Sequence, residues 1–190
     1  MLIGVLGLQG DYREHISHLE SLGAKAVKVR TKAELNAVDA LVIPGGESTA
    51  ISNLAQNFDL IEPLREFVKT KPVLGTCAGL IMLSDQVEGA VERQEFIRGL
   101  PIKTSRNAYG GQSYSFEAEV QFGEDSERVA FIRAPKILDS GSAEVIGTLN
   151  GEPVAVRSGN LFGASFHPEI TGSEFLHRLF IEAVEQSISS

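Results

Sequence analysis

The chain holds one cysteine, Cys77, set in Gly75-Thr-Cys-Ala-Gly79 between the apolar pairs Val73-Leu74 and Leu80-Ile81. Glycine has no Cβ, so the two glycines permit a tight strand-to-helix turn whose middle side chain is held exposed and strained. The same mechanics underlie the Gly-x-Ser-x-Gly elbow of hydrolases. A helix starting there aims free N–H groups and its positive dipole end at the sulfur, which favours thiolate over thiol. The pattern is that of a nucleophile; the plainer alternative is a buried structural cysteine.

A thiolate nucleophile needs a base that takes its proton and later returns one to the leaving group. Of the four histidines, His167 ends the apolar run 161–166 and is followed by Pro168-Glu169. A strand end in an α/β sheet points at the same crevice as the elbow. Pro168 restricts His167 to extended geometry, and alternate residues of extended chain share a side, so Glu169 can reach behind the ring and orient it. Cys77, His167 and Glu169 then form a nucleophile, a base and an orienter. His15 and His18 lie three apart in a helical stretch. That spacing can clamp a metal, but no second cysteine or acid cluster accompanies it, so they read as solvated helix histidines. His177 reads as the edge of a packed helix face. No metal and no cofactor is expected.

Acyl chemistry also needs N–H donors for a tetrahedral oxyanion. Ala78 N–H at the helix start is one. The loop Pro44-Gly-Gly-Glu-Ser48 offers Gly45 or Gly46 as the second, although the same residues also make an ordinary strand-to-helix turn with Ser48 as its cap.

The elements that must hold these groups follow from periodicity. Short, nearly all-apolar runs at residues 2–6, 24–29, 40–43 and 73–74 alternate with helical patterns at 12–22, 32–36, 49–57 and 61–69. That is the signature of an α/β, three-layer, doubly wound and mostly parallel sheet with helices on both faces. Residues 84–100 have weak periodicity and read as irregular, partly mobile chain. Strand-like runs follow at 114–122, 129–133, 143–149, 153–157 and 161–166, with Asn150-Gly151 as a hairpin signal. The C-terminal half should therefore add some antiparallel strands to the sheet. A last helix is expected from 173 to about 185 with a fraying tail. No repeat or linker divides the chain, so residues 1–190 read as a single domain.

The 190 residues, 43% of them hydrophobic, can bury one sizeable core. A net charge of −8 argues against nucleic-acid partners. No apolar run is long enough for a membrane span, so no membrane partner is expected. A lone cysteine excludes an internal disulfide framework and fits a reducing, cytoplasmic setting. Gly4, Gly7 and Gly10 are not spaced as a dinucleotide fingerprint, and Lys28 and Arg30 stand where an acid would be wanted for the ribose. The Leu8-Gln-Gly10 turn instead reads as lining the crevice above the strand ends.

The elbow, Pro44-Gly-Gly-Glu-Ser48 and Phe166-His-Pro-Glu169 resemble the class I (triad) glutamine amidotransferases, whose sheet is flavodoxin-like. Within them, Leu6-Gly-Leu-Gln-Gly10, Gly45-Gly-Glu-Ser-Thr49, Ser105-Arg-Asn-Ala-Tyr-Gly110, Ser115-Phe-Glu117, Phe131-Ile-Arg-Ala-Pro135 and Phe166-His-Pro-Glu-Ile-Thr171 resemble the glutaminase subunits of pyridoxal 5′-phosphate synthase. The resemblance spans nearly the whole chain. It implies hydrolysis of L-glutamine to glutamate and ammonia through Cys77, His167 and Glu169, with a γ-glutamyl thioester and no cofactor. It further implies delivery of the ammonia to a (βα)8-barrel synthase subunit in a hetero-oligomer. Gly46, Glu47, Ser48, Arg106, Ile132 and Arg133 match glutamine-binding positions. A free amino acid independently wants a cation for its carboxylate, which Arg106 or Arg133 can supply, and Glu47 or backbone carbonyls for its ammonium. One departure stands out: the family pattern has arginine where this chain has Gly111 before Gln112. Rival readings are a glutaminase serving a different synthase and a non-catalytic interaction or redox domain.

Overall fold

The computed structural model describes residues 1–106 and 115–189; the segment carrying Gly111 lies outside them. Its elements run β1 (Ile3–Leu6), α1 (Tyr12–Ser21), β2 (Ala26–Val29), α2 (Lys32–Asn36), β3 (Ala40–Ile43), α3 (Ser48–Asn57), α4 (Ile61–Phe67), β4 (Val73–Thr76), α5 (Ala78–Leu83) and β5 (Ser84–Glu88). They continue with β6 (Leu100–Ser105), β7 (Ser115–Phe122), β8 (Asp125–Ile132), β9 (Lys136–Asp139), β10 (Glu144–Leu149), β11 (Glu152–Ser158), β12 (Leu161–Ala164), α6 (Pro168–Thr171) and α7 (Phe175–Ser189). Among the described residues no helix is long and apolar enough to cross a membrane.

Among the described residues nine strands form one sheet in the order β2-β1-β3-β4-β12-β11-β10-β7-β8. The first five are parallel, and every pairing from β12 to β8 is antiparallel. The parallel part has the flavodoxin-like order, in which the strand ends open onto a crevice where the order reverses. Successive side chains of a strand face opposite sides, and the core divides accordingly. Leu41, Ile43, Val73 and Leu161 pack under α3, α4 and α5. Ala40, Val42, Leu74 and Phe162 pack under α1 and α7. Burial on both faces is why these strands read as continuous apolar runs.

Local chemistry fixes the ends. Thr31 and Glu34 make a reciprocal capping box on α2. Asn150 and Gly151, at φ 52° and 82°, turn β10 into β11 as the paired positive φ of a two-residue hairpin requires. The elbow glycines serve close packing. A Cβ on Gly79 would stand 2.0 Å from the Ile43 carbonyl oxygen, and one on Gly75 would stand 2.5 Å from Gly79 O. Gly79→Ala is therefore expected to destabilise the fold by about 3 kcal/mol. Guanidinium unfolding would read this as a lower midpoint at unchanged slope.

Several expectations need correction. Residues 84–88 and 100–105 are strands, and with β9 they build a separate three-stranded sheet, β5-β6-β9. Its signal was weak because Val87 is the one apolar residue of β5, half-buried against the core, whereas β6 covers Leu100, Ile102 and Thr104 around Pro101 and Lys103. Residues 168–171 form a helical turn instead of extended chain, and α7 runs on to Ser189 instead of fraying after Glu185.

Candidate active site

Cys77 sits at the junction of β4 and α5 with φ 49° and ψ −106°. No L-residue adopts that region without strain, so the surrounding packing must hold it there. The strained residue of the elbow is the cysteine itself, and it is buried, 5% exposed, contrary to the exposed side chain expected. Its Sγ lies 3.7 Å from the Ile132 carbonyl oxygen. Ala78 opens α5, so its N–H has no acceptor within the helix.

His167 stands at the neighbouring strand end. Its N–H donates to Ala130 O at 2.8 Å, tying the β12 end across to β8. Pro168 occupies the first turn of α6, where a missing N–H costs nothing. Glu169 thus reaches the ring from a helical turn, one residue beyond Pro168. His167 Nδ1 donates to Glu169 Oε1 at 2.7 Å, and both groups are buried. Asp11 Oδ2 lies 3.2 Å from the same nitrogen. Burial opposes a charge on the ring, but hydrogen bonds with Asp11, Cys77 and Glu169 outweigh it and push the His167 pKa up to about 12. The Asp11 carboxyl is held below its ordinary value by the hydrogen bond to His167, against burial, with help from the charges of His167 and Arg133. Asp11, His167 and Glu169 bring three donor atoms within 4.8 Å of one another. A ring nitrogen that carries its proton toward two carboxylates has no lone pair for a metal.

The glycine loop closes over this pair. A Cβ on Gly45 would come 2.2 Å from His167 Cε1, so only glycine lets the loop pass the ring. Gly46 has φ 148° and packs against Gln9 and Gly10. Gln9 Oε1 accepts from Glu47 N–H at 2.8 Å, so the Leu8-Gln-Gly10 turn does line the crevice. The α3 cap is Glu47, not Ser48: its carboxylate accepts from Thr49 and Ala50 N–H at 3.0 and 2.8 Å. Ser48 is buried and its hydroxyl accepts from Gln94 Nε2 at 3.1 Å. Arg106 reaches the same loop, donating to Glu47 Oε1 at 2.8 Å, Thr49 Oγ1 at 3.0 Å and Gln94 Oε1 at 2.8 Å. Glu47 is thus committed to the helix cap and to Arg106 and keeps little capacity for a substrate ammonium. Arg133, at φ 47°, ends the β8 side of the crevice beside Ile132.

Two histidines were misplaced by sequence reasoning. His15 and His177 are fully buried, not solvated and not at an edge. His15 Nδ1 and His177 Nε2 are 3.0 Å apart, and His15 Nε2 is 3.0 Å from Thr76 Oγ1 and 3.3 Å from Glu169 Oε2. A usable signal was present: His15 and Leu19 are four apart, and His177, Phe180 and Val184 share one helical stripe. Asp11 and Gln9 were missed as individual groups because nothing local marks a turn residue as facing a base.

A cysteine elbow facing a strand-end His-Glu pair over a flavodoxin-like sheet is the arrangement of the class I glutamine amidotransferases. A solved structure described as a glutamine amidotransferase superposes with a TM-score of 0.90 at 41% identity, over 96% of this chain and 98% of that one. PurLQS from Thermotoga maritima shares the fold, with a TM-score of 0.62 at 16% identity over 98% and 96% of the two chains. The model of the SNO glutamine amidotransferase family matches residues 5–186, and the chain belongs to that family. Among its relatives, the pyridoxal 5′-phosphate synthase subunit PdxT of Nocardioides sp. is 48% identical over 97% of this chain and 96% of its own length. The subunit of the same name from Streptomyces avermitilis is 50% identical over 96% and 94%.

Proposed function

We propose that residues 1–190 act as one glutaminase domain, the ammonia-producing subunit of a pyridoxal 5′-phosphate synthase, working in the reducing cytoplasm. The observation that carries this reading is the buried Cys77, His167 and Glu169 constellation in a chain 45–50% identical to PdxT subunits over nearly its full length. The Cys77 thiolate attacks the side-chain amide carbon of glutamine. N–H groups of Ala78 and of Gly45 or Gly46 hold the resulting oxyanion. Imidazolium at His167, stabilised by Glu169, gives its proton to the amide nitrogen, and the C–N bond breaks to release ammonia. The neutral ring then takes a proton from water, hydroxide adds to the γ-glutamyl thioester, and collapse expels glutamate and restores the thiolate–imidazolium pair.

Glutamine is held at its α-carboxylate by Arg106 or Arg133. Gly46, Glu47, Ser48 and Ile132 line the rest of the pocket, chiefly through their backbones. Free ammonia in neutral water is mostly ammonium and a poor nucleophile, so the product passes directly to a (βα)8-barrel synthase subunit. In the isolated chain the glycine loop around Gly46-Glu47 is tied to Gln9 and Arg106, and docking of the synthase sets its amides for the oxyanion.

The test is ammonia release from L-glutamine by the full chain, alone and with the barrel subunit. We expect activity to rise at least about tenfold in the complex. Intact-mass spectrometry should trap a γ-glutamyl adduct on Cys77. Turnover without any adduct on Cys77, and equal with and without the barrel, would sink the proposal.

A further inference from the structure

His15 belongs to α1, yet its ring lies fully buried between the elbow and the triad acid. Nε2 is 3.0 Å from Thr76 Oγ1, the residue before Cys77, and 3.3 Å from Glu169 Oε2. The approach to the carboxylate is too oblique for a full hydrogen bond, but Glu169 Oε2 has no hydrogen-bond partner among the described residues. On the far side, Nδ1 is 3.0 Å from His177 Nε2.

These contacts fix where the ring protons sit. Burial, then the neighbouring His177, His167 and His18, hold the His15 pKa well below its ordinary value, so the ring is neutral with one proton. With that proton on Nδ1, a lone pair would face a carboxylate and His177 would carry a buried N–H with no acceptor. With it on Nε2, the N–H faces Glu169 and Thr76, and Nδ1 accepts from His177 Nε2–H. His177 Nδ1 is then a lone pair, which fits its lack of a partner among the described residues. A buried acceptor left bare costs less than a buried donor left bare. The donors therefore run from His177 to His15 and from His15 Nε2 to Thr76 Oγ1, with Glu169 Oε2 3.3 Å from the same nitrogen, while Glu169 Oε1 accepts from His167 Nδ1 at 2.7 Å.

We propose that His15 is a positioning residue of the active site: its Nε2–H, anchored on Thr76 beside the elbow, turns its positive hydrogen toward the second oxygen of Glu169 and steadies the carboxylate electrostatically, so that the first oxygen stays on His167. This rests on reading Cys77, His167 and Glu169 as the triad. The side chains hydrogen-bonded to His167 are Asp11, Cys77 and Glu169; His15 makes no hydrogen bond with it, and being neutral it acts on His167 chiefly through Glu169, although a charge on either ring would disfavour one on the other.

The experiment compares His15→Gln, whose amide can reach the Nε2 position, with His15→Leu, which fills the space without a donor. Both are made in the full chain and assayed alone and with the synthase subunit. A positioning role predicts that His15→Leu lowers kcat by about 30- to 100-fold with the glutamine KM within about twofold, while His15→Gln stays within about fivefold of wild type. Nitrogen-15 NMR of the His167 ring should show its pKa falling by about one pH unit in the leucine variant and holding in the glutamine variant. A purely structural role predicts the reverse ranking, since a buried apolar site tolerates leucine better. Equal kcat in both variants, or an unmoved His167 titration, overturns the proposal. Should His15→Leu fail to fold, His15→Asn, whose amide reaches only the Nδ1 position, takes its place with the same expectation. A wild-type chain without Cys77-dependent ammonia release refutes the triad reading instead, and the His167 titration still decides the role of His15.

Discussion

Replacing Cys77 by alanine is expected to lower glutamine hydrolysis by about 10⁴-fold or more, because without the sulfur only positioning and the oxyanion donors remain. The effect on stability separates the chemistry from the backbone. Cys77 sits at φ 49° and ψ −106°, a region that glycine occupies freely and alanine does not. The strain amounts to about 1–3 kcal/mol, against about 0.5–1 kcal/mol for the extra freedom of glycine in the unfolded chain. Cys77→Gly should therefore be as inactive as Cys77→Ala but more stable by about 1 kcal/mol. Paired denaturation curves and an ammonia assay measure both. An alanine variant more stable than the glycine variant would mean that the elbow is not strained. The stability difference would measure what the fold gives up to seat a cysteine in that conformation.

Acid should unfold this protein early, and the sign follows from the buried histidines. Burial, then the charge of His18, depresses the His177 pKa to about 3, while burial and the neighbouring histidines hold His15 well below its ordinary value. In the unfolded chain both rings take a proton near pH 6.5. Between those limits the unfolded state binds about two protons more than the folded state, so stability is fully present above pH 6.5 and falls as pH drops. Each ring contributes about 1.4 kcal/mol per pH unit. Two rings over two pH units cost about 5 kcal/mol, comparable with the whole stability of a domain this size. His167 acts in the opposite sense. Its pKa is raised, so its contribution is complete below pH 6.5 and lost as pH rises toward 12. Unfolding free energies at pH 7, 6 and 5 should trace the acid slope, and His177→Phe should roughly halve it. A flat profile from pH 7 to 5 would contradict the buried, neutral rings.

The elements closest to the chemistry were legible because their signals are local. The runs at 40–43 and 73–74 are apolar throughout and bounded by glycine and proline turns, as a doubly covered strand requires, and they appear within β3 and β4. Asn150-Gly151 specifies a hairpin by its own dihedral preferences. Glu169 was assigned to the ring of His167 for a partly mistaken reason: the residues between them are helical, and the carboxylate arrives from a turn. The second sheet was missed because β5 and β6 carry polar residues in alternation with few apolar ones, a pattern that pairing partners, not propensity, resolve into strands.

By itself the sequence marked the cysteine elbow, the histidine beside its proline, the glycine loop and the parallel half of the sheet. Each depends on backbone freedom or on a hydrophobic period within a few residues. Only the tertiary structure decided that Cys77 is buried, that Asp11 shares the His167 ring with Glu169, and that His15 and His177 run beneath it, since those contacts join residues up to 162 positions apart. A histidine on a helix is solvated or buried according to what packs against it, and chain closure over that distance leaves no periodic trace in the residues themselves.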